Sequence, residues 1–227
     1  MRLLLVGYGR MGKLVEKLAP EYGFDVVGRL DDTNNIGGVG IPSAPDADVA
    51  VEFSIPSAVA ENLPKLAARK MNVVIGTTGW HEQEEKMRKI ATDAGIGVVA
   101  ASNFSLGVAL FQSLAEQAAK MFAPYPQYGA WIHEIHHSTK KDAPSGTAIN
   151  LQQGMKGAGY PHTIDMASSR AGSAPGTHTI GFDGPFETMT MTHANRDRAA
   201  FAQGALQAAK WVQGKSGWFT IRDVLGL

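Results

Sequence analysis

One short glycine-rich segment constrains the fold of this chain more than any other part of its sequence. It follows an apolar run at residues 3–6 and reads Gly7-Tyr8-Gly9-Arg10-Met11-Gly12, which fits the spacing G-x-G-x-x-G. A helical pattern follows, which gives the segment the strand–turn–helix context of a dinucleotide-binding fold. There the first glycine permits a tight turn, the second lets the backbone approach a pyrophosphate, and the third allows close helix packing. The alternative is a glycine-rich turn that binds no ligand.

The first hundred residues alternate short β-rich runs with helical patterns. Strands are predicted at residues 3–6, 25–27, 49–53, 72–75 and 97–100. Helices are predicted at residues 13–18, 57–69 and 82–94, where apolar residues recur at helical spacing. This alternation predicts a parallel sheet covered by helices, so the N-terminal part is expected to be an α/β, Rossmann-like dinucleotide-binding domain.

The pattern changes after Phe104, which predicts a second domain. A helical stretch is followed by a β-rich run at 131–136, and two later runs alternate apolar and polar residues as antiparallel strands do. An alanine-rich helix at 199–212 is expected to pack back on the first domain. The predicted organisation is a dinucleotide-binding domain at residues 1–103, completed by residues 199–227, and a second α+β domain with an open mixed sheet at 104–198.

Composition narrows the class of partner. Lysine plus arginine and aspartate plus glutamate number 21 each, so no basic field supports nonspecific nucleic-acid binding. The absence of cysteine excludes disulfides, thiolate metal sites and cysteine nucleophiles, and is compatible with a cytoplasmic location. No stretch approaches the ~20 apolar residues that a membrane span needs, and the first apolar run ends at Gly7 without a cleavage site, so it is interpreted as a strand. A small-molecule partner is expected, with neither nucleic acid nor membrane.

Three further places are expected to contact the dinucleotide. An acidic residue about 20 positions beyond the glycines normally binds the ribose hydroxyls of NAD, and of Asp31 and Asp32 we choose Asp31. Two other segments follow strands at the edge where open α/β sheets bind ligands, and they supply small hydroxyl and backbone groups. The full set of predicted cofactor contacts is Gly7, Tyr8, Gly9, Arg10, Met11, Gly12, Asp31, Gly76, Thr77, Thr78, Ala101, Ser102, Asn103 and Phe104.

A second cluster of polar residues begins with a misleading motif. Residues 133–137 read H-E-x-x-H, which binds zinc in metalloproteases when the segment is a helix. Trp131 and Ile135 favour a strand instead, where His133 and His137 would lie about 13 Å apart at ~3.3 Å per residue. We therefore attribute the match to chance and expect no metal.

The cluster continues into a predicted helix start. Residues 142–147 read Asp-Ala-Pro-Ser-Gly-Thr and lead into a helical pattern. A helix start presents free backbone N–H groups and hydroxyls to an anion. Histidines and lysines stand just upstream. Together these groups predict a cationic cradle for a dicarboxylate, with an imidazole able to donate a proton.

The whole cluster carries a family resemblance. Residues 134–140 read E-I-H-H-x-x-K and lead into D-A-P-S-G-T at 142–147. With this motif the chain resembles the 4-hydroxy-tetrahydrodipicolinate reductase family, formerly called dihydrodipicolinate reductase. That family belongs to lysine and diaminopimelate biosynthesis. The resemblance implies an NAD(P)H-dependent oxidoreductase, with NADH and NADPH as cofactors, that reduces a cyclic imine dicarboxylate. Supporting stretches are the glycine segment, Gly76-Thr77-Thr78-Gly79, Ser102-Asn103-Phe104-Ser105, Gly176-Thr177-His178, residues 193–198 and Phe201-Ala202-Gln203-Gly204-Ala205.

The resemblance also implies roles for single residues. His136 matches the general acid and Lys140 the catalytic lysine, while Arg198 matches an arginine of the hinge region. The residues that match the binders of the substrate carboxylates are His137, Lys140, Ser145, Gly146 and Thr147. The family is homotetrameric through the open sheet of its second domain, and its two domains close over the ligands.

The chain departs from the family in three respects, and two alternative functions stay open. Its glycine turn is one residue shorter than in many members, Glu52-Phe53-Ser54 stands where Asp-Phe-Thr is commoner, and its length is short for the family. The alternatives are another NAD(P)-dependent amino-acid or hydroxy-acid dehydrogenase and a non-catalytic nucleotide sensor. The histidine–lysine cluster disfavours both, since a sensor has no need of a poised acid.

Overall fold

The computed structural model describes residues 1–227, and the chain divides into two units. Unit 1 comprises Met1–Leu106 and Arg198–Leu227, and unit 2 comprises Gly107–Asp197. The first sheet lies wholly in unit 1 and the second wholly in unit 2. None of the helices combines the length and the apolar character that a membrane crossing requires.

Unit 1 is built on a six-stranded, all-parallel sheet. Its strands are β1 (Arg2–Val6), β2 (Asp25–Leu30), β3 (Val49–Glu52), β4 (Asn72–Ile75), β5 (Gly97–Ala100) and β10 (Gly217–Phe219), in the order β10-β5-β4-β3-β1-β2. The central strands are runs of valine, leucine and isoleucine with almost no exposed surface. Such uninterrupted apolar runs suit strands that helices cover on both faces. The predicted Rossmann-like fold is confirmed.

Helices cover this sheet, and local sequence signals explain their ends. They are α1 (Arg10–Leu18), α2 (Pro56–Ala68), α3 (Glu84–Ala94), α6 (Ala199–Trp211) and α7 (Ile221–Leu225). The first turn of α3 is acidic, and Gly95 ends it in the left-handed conformation at φ 70°. In α6, Gly204 permits a close approach, because a Cβ there would lie 1.7 Å from the carbonyl oxygen of Phe104.

Strand order places a binding crevice at one point of the sheet. From β1 the chain adds β2 on one side and β3 on the other, so the order reverses between β1 and β3. Ligands of open α/β sheets bind beyond the carboxyl ends of the strands at such a reversal. The glycine segment follows β1, and Phe53 and Ser54 follow β3, so both reach this crevice.

Unit 2 contains two helices and a four-stranded mixed sheet. Its elements are α4 (Leu106–Phe122), β6 (Gly129–His136), α5 (Gly146–Gly157), β7 (Ile164–Arg170), β8 (Thr177–Asp183) and β9 (Thr188–Ala194). The first residue of α4, Leu106, precedes the start of unit 2 at Gly107. The sheet order is β7-β6-β8-β9. β6 pairs with β7 in parallel, and the other pairings are antiparallel. Side chains of α4 and α5, such as Phe111 and Leu151, form a buried core with Ile132 and Ile180 of the sheet. The second domain's predicted mixed sheet is confirmed.

Most predicted elements are present, but three were missed. The segment with the H-E-x-x-H motif is a strand, as predicted, because β6 extends to His136. β7, β10 and α7 were not predicted. β7 lies at a sheet edge and reads Ile-Asp-Met-Ala-Ser-Ser-Arg, which has too few apolar residues to mark it as a strand. The helix predicted after residue 147 is α5, which extends to Gly157.

Candidate active site

The glycine turn after β1 has the backbone geometry that close approach requires. Gly7 has φ +91°, and a Cβ there would lie 2.1 Å from the carbonyl oxygen of Phe53. A Cβ at Gly12 would lie 2.3 Å from the carbonyl oxygen of Gly7, so only glycine lets α1 start this close to β1. A Cβ at Gly9 would meet no atom within 4 Å. Gly7 and Gly12 are therefore required by close backbone packing, whereas Gly9 faces open space.

The start of α1 is suited to an anion. Gly9 is its N-cap, makes no side-chain capping bond, and no acidic residue lies in the first turn. The backbone N–H groups at a helix start lack intrahelical partners and carry partial positive charge. A pyrophosphate fits this position, because the N–H groups and the open space at Gly9 occur together.

A cleft of about 450 Å³ lies beside this helix start. It is lined by Gly9, Arg10, Met11, Phe53, Ser54, Pro56, Gly76, Thr77 and Thr78. These residues follow β1, β3 and β4, so the cleft occupies the point where the strand order reverses. The volume is within the usual range for a small-molecule site. The predicted residues Arg10, Thr77 and Thr78 thus lie in the same cleft.

A buried carboxyl group supports the floor of the cleft. Glu52 is 1% exposed and accepts hydrogen bonds from the hydroxyls of Thr77, at 2.6 Å, and Ser54. The Thr77 hydroxyl also accepts from the Ser54 backbone N–H at 2.8 Å. Burial raises the pKa of Glu52, and the hydrogen bonds from Ser54 and Thr77 oppose that effect. This network fixes the side chains of Ser54 and Thr77, two residues that line the cleft.

The other predicted cofactor contacts lie outside the lining of this cleft. Asp31 directly follows β2, where its carboxylate accepts from the Thr33 backbone N–H at 2.9 Å and the Thr33 hydroxyl at 2.6 Å. These hydrogen bonds lower the pKa of Asp31. Ala101, Ser102 and Asn103 follow β5, and Phe104 is buried against the Phe53 ring at a centroid distance of 6.3 Å.

Tyr8 belongs to a charged cluster on the outside of the glycine turn. Its hydroxyl donates to Glu16, and the same carboxylate accepts from Nε of Arg29 at 2.7 Å. The guanidinium of Arg29 lies 5.9 Å from the centre of the Tyr8 ring. The charge of Arg29 is therefore largely compensated by Glu16, whereas Arg10 lies in the cleft.

In unit 2, the sheet register brings together polar residues from three strands. Glu134 and His136 share the buried face of β6 because side chains two apart in a strand point the same way. Glu134 is opposite His178 on β8, and His136 is opposite Arg170 on β7. Nδ1 of His136 lies 2.6 Å from Oε2 of Glu134, and Nη2 of Arg170 lies 2.8 Å from Oε1. Three strands thus converge on one carboxylate.

The start of α5 completes this cluster. Ser145 is the N-cap, its hydroxyl accepts from the backbone N–H of Ala148, and its own N–H donates to Glu134 at 3.1 Å. Its hydroxyl also lies 3.1 Å from Nε2 of His178. Gly146 and Thr147 form the first turn, so their N–H groups lie at the helix end, where an anion is favoured.

The loop between β6 and α5 holds the remaining predicted residues. Nζ of Lys140 lies 2.7 and 2.8 Å from the two carboxylate oxygens of Asp142. Nδ1 of His137 lies 2.7 Å from the Thr139 hydroxyl. His136, Lys140 and Ser145 lie in one site in unit 2, because the charge of Lys140 acts on His136 and the Ser145 N–H donates to Glu134 beside it. The ion-pair partner of Lys140 is Asp142.

Burial controls the protonation of the two histidines. It lowers the pKa of His178 to about 4, with the positive charge of His136 adding to the effect. Burial also lowers the pKa of His136, while the Glu134 carboxylate opposes this. Burial would raise the pKa of Glu134, but hydrogen bonds from Ser168, Arg170 and Ser145 lower it to about 2. A dicarboxylate bound beside His136 would raise its pKa, since an added negative charge favours the imidazolium form.

Glu134, His136 and His178 also have the composition of a metal site. One ligand atom from each lies within 4.8 Å of the others. However, the Arg170 guanidinium already supplies the positive charge on Glu134, and the Ser145 N–H supplies a further hydrogen bond. His133 is exposed on the opposite face of β6, where its Nε2 lies 3.0 Å from the Ser169 hydroxyl. We interpret the three residues as an ion-pair network.

Prolonged treatment with a strong chelator is expected to leave turnover unchanged, because Arg170 and not a metal compensates the charge of Glu134. The measurement is the steady-state rate before and after chelation, with metal content checked by mass spectrometry. Loss of activity that zinc restores would establish a metal role and overturn this interpretation.

Several residues of the two sites were not predicted from the sequence, among them Glu134, Ser54 and Arg170. Glu134 shares a strand face with His136, so the alternation of β6 was an available signal. Ser54 follows β3 beside the glycine turn, and in the sequence it stands out only as a departure from the family pattern. Arg170 reaches the site by the pairing of β6 with β7, and no local sequence signal indicates it.

Comparison with known proteins decides the family. The family model described as dihydrodipicolinate reductase, N-terminus, matches residues 1–104, and the C-terminus model matches residues 107–225. The chain belongs to this family. A 4-hydroxy-tetrahydrodipicolinate reductase of Christiangramia forsetii is 36% identical over 99% of this chain and 98% of its own. One from Stenotrophomonas maltophilia R551-3 is 38% identical, with the same coverage of each chain.

Solved structures agree with the fold. A dipicolinate-bound dihydrodipicolinate reductase from Paenisporosarcina sp. TG-14 superposes with a TM-score of 0.79 at 24% identity and covers 97% of each chain. A probable dehydrogenase from Thermotoga maritima has a TM-score of 0.61 at 10% identity and covers 99% of this chain and 92% of its own. Family membership makes the chain an NAD(P)H-dependent oxidoreductase, and the family uses NADH or NADPH.

Proposed function

We propose that this chain reduces 4-hydroxy-tetrahydrodipicolinate to tetrahydrodipicolinate with NADH or NADPH, a step of lysine and diaminopimelate biosynthesis. Full-length relatives carry the name of this reductase. The observation that carries the proposal is the site in unit 2, where a buried imidazole, a lysine and the start of α5 lie together. This combination suits a substrate that has carboxylates and needs a proton.

We assign the cofactor to unit 1 and the substrate to unit 2. Gly7, Gly9 and Gly12 supply the pyrophosphate turn, and Thr77 and Thr78 line the cleft beside it. Asp31 is proposed for the ribose hydroxyls, and residues 101–104 for the far end of the dinucleotide. When bound, reduced nicotinamide supplies a hydride to the unsaturated ring carbon of the substrate.

The residues of unit 2 bind the substrate and move its proton. His136 delivers a proton to the atom that gains negative charge as the conjugated imine accepts electrons. Lys140 exchanges Asp142 for a substrate carboxylate. Gly146 and Thr147 bind carboxylate oxygens through their N–H groups, and Ser145 binds through its hydroxyl, because its own N–H donates to Glu134. His137 lies next to this anion site and adds a further donor. Positioning and electrostatic stabilisation supply much of the rate acceleration.

The small dicarboxylate ligand of the Paenisporosarcina structure supports this substrate class. We further propose that the protein is a cytoplasmic homotetramer that assembles through the open face of the unit 2 sheet. Sedimentation of the purified protein, compared at several concentrations, tests the oligomeric state.

The function itself is tested by a spectrophotometric assay with the substrate generated in situ. Oxidation of NADH should occur only when enzyme and substrate are both present. Purified protein that leaves NADH unoxidised under these conditions would exclude the proposed activity. Reduction of NAD⁺ coupled to oxidation of an amino acid or a hydroxy acid would favour the alternative dehydrogenase.

Replacement of Asp31 by alanine is expected to lower the ratio of kcat/KM for NADH to that for NADPH. The carboxylate accepts ribose hydroxyls and repels the 2′-phosphate, and its loss removes both effects. Arg10 is the cation left to offset this repulsion in the wild type, since Glu16 compensates Arg29. Asp32→Ala, an adjacent exposed carboxylate, is the matched control. An unchanged ratio in Asp31→Ala would show that this residue does not contact the ribose.

A further inference from the structure

Glu134 has no role in the mechanism given above, yet it is the most completely enclosed charged side chain of unit 2. It is 0% exposed, and its carboxylate lies 2.6 Å from His136, 2.8 Å from Arg170 and 3.1 Å from the backbone N–H of Ser145. Burial of a charge is costly unless hydrogen bonds and opposite charges compensate it. A carboxylate kept in this position therefore points to a use beyond packing.

We propose that Glu134 is a positioning residue that holds Nδ1 of His136 and so makes Nε2 the nitrogen that delivers the proton. Nδ1 of His136 and Oε2 of Glu134 are both buried and lie 2.6 Å apart, and neither makes a hydrogen bond to any other group, so the two atoms are placed to bond to each other. The inference rests on the proposed function, because it assigns the orientation of the proposed acid.

The opposite side of the His136 ring supports this orientation. A Cβ at Gly176 would lie 3.0 Å from Nε2 of His136, tighter than an ordinary contact. Gly176 has φ +129°, which side-chain-bearing residues rarely adopt. Glycine at position 176 therefore keeps a side chain of that residue away from Nε2, whereas Nδ1 faces the Glu134 carboxylate.

Glu134 is also a fixed negative charge. Its pKa is about 2, because hydrogen bonds from Ser168, Arg170 and Ser145 outweigh the effect of burial. It is therefore ionised near neutral pH, and it does not itself supply a proton. What it does is hold the imidazole and favour its protonated form.

Removal of the Glu134 charge is expected to lower the pKa of His136. The direction follows from the charged and titratable groups that each packed element places near His136. Glu134 lies on β6 itself, Arg170 on β7, His178 on β8, and Lys140 in the loop before α5. Burial, Lys140 and Arg170 lower the pKa of His136, and Glu134 raises it. His178 is neutral above its pKa of about 4, and His193, which faces it from β9, also has a pKa lowered by burial. Without Glu134, the remaining effects all lower the pKa of His136.

The test compares kcat against pH in wild type, Glu134→Gln and Glu134→Asp. A general acid loses activity as the pH rises through its pKa in the complex, so a lower pKa moves this falling limb to lower pH. We expect a shift of about one pH unit or more for Glu134→Gln, the usual scale for a lost neighbouring charge. At neutral pH this lowers kcat by roughly tenfold or more, since one pKa unit is a tenfold change in the protonated fraction.

Two comparisons separate positioning from a structural role. Glu134→Asp keeps the charge, so its falling limb should return to the wild-type pH while kcat stays reduced by the shorter reach. Glu187→Gln, which removes an exposed carboxylate from the turn between β8 and β9, should match wild type. The KM for NADH should stay within about twofold in all variants, because the cofactor is assigned to unit 1. A Glu134→Gln profile that coincides with the wild-type profile would overturn the proposal.

A second measurement needs no variant of Glu134 and so survives any failure of that variant to fold. In ¹⁵N spectra of histidine-labelled wild type, neutral His136 should carry its hydrogen on Nδ1, and the signal is assigned by its loss in His136→Gln. Hydrogen on Nε2 would contradict the proposal. An inactive wild type would count against the proposed function but would not affect the tautomer result. An active enzyme whose neutral His136 carries its hydrogen on Nε2 would contradict this inference alone.

Discussion

His136→Gln is expected to lower kcat by a factor on the order of 10² to 10⁴, the usual cost of removing a general acid. Glutamine keeps a polar side chain of similar length on the buried face of β6, but it cannot carry the proton. Cofactor affinity should stay near wild type, because the residues assigned to NADH lie in unit 1. The measurements are kcat from steady-state kinetics and the NADH dissociation constant from fluorescence titration.

The matched control is His133→Gln. It makes the same substitution three residues earlier in β6, on the exposed face of the strand. This variant should retain wild-type kcat, and the melting temperatures of both variants show whether each has folded. Near-normal turnover in His136→Gln would remove His136 as the acid, and a loss in His133→Gln of the same size would make the effect one of strand stability.

Lys140→Ala is expected to weaken binding of a pyridine-dicarboxylate inhibitor by roughly 10- to 150-fold. A charge-assisted hydrogen bond is lost, worth about 1.5 to 3 kcal/mol, and each 1.4 kcal/mol is a tenfold change in affinity. The variant also leaves Asp142 without the cation that now contacts both its carboxylate oxygens, so a negative charge faces the anion. A lower kcat is expected as well, because Lys140 orients the substrate.

Inhibition constants for Lys140→Ala and for Lys120→Ala provide the comparison. Lys120 is an exposed lysine in the last turn of α4, so its replacement removes the same charge from unit 2 without entering the site. Inhibition that is equal in Lys140→Ala and wild type would exclude Lys140 from the carboxylate site. An equal loss in both variants would show that the long-range field of the unit, and not a contact, attracts the dicarboxylate.

The buried strands were the easiest part of the fold to predict. β1, β3, β4 and β5 are short valine-rich or leucine-rich runs because helices cover them on both faces, and such a run is visible in one sequence. β7 was missed because four of its seven side chains are polar and three are exposed, so it has no periodic apolar signal. Pairing with β6, a tertiary effect, makes this segment a strand.

The candidate site shows the same division between local and tertiary information. His136, Lys140 and Ser145 lie within one continuous motif, so their proximity followed from the sequence. The partners of Glu134 did not, since Arg170 and His178 come from β7 and β8 and meet it only through the sheet register. Sequence patterns indicate which face a strand residue occupies, but not which residue of a distant strand it will oppose.

The most direct test of the proposed reaction follows the hydride itself. The enzyme is supplied with NADH that carries deuterium at both C4 positions of the nicotinamide, and with 4-hydroxy-tetrahydrodipicolinate generated in situ, in ordinary water. Mass spectrometry of the tetrahydrodipicolinate formed should then show one deuterium bound to ring carbon, at a rate that depends on enzyme concentration. Product without deuterium, or no product above the enzyme-free control, would contradict the account.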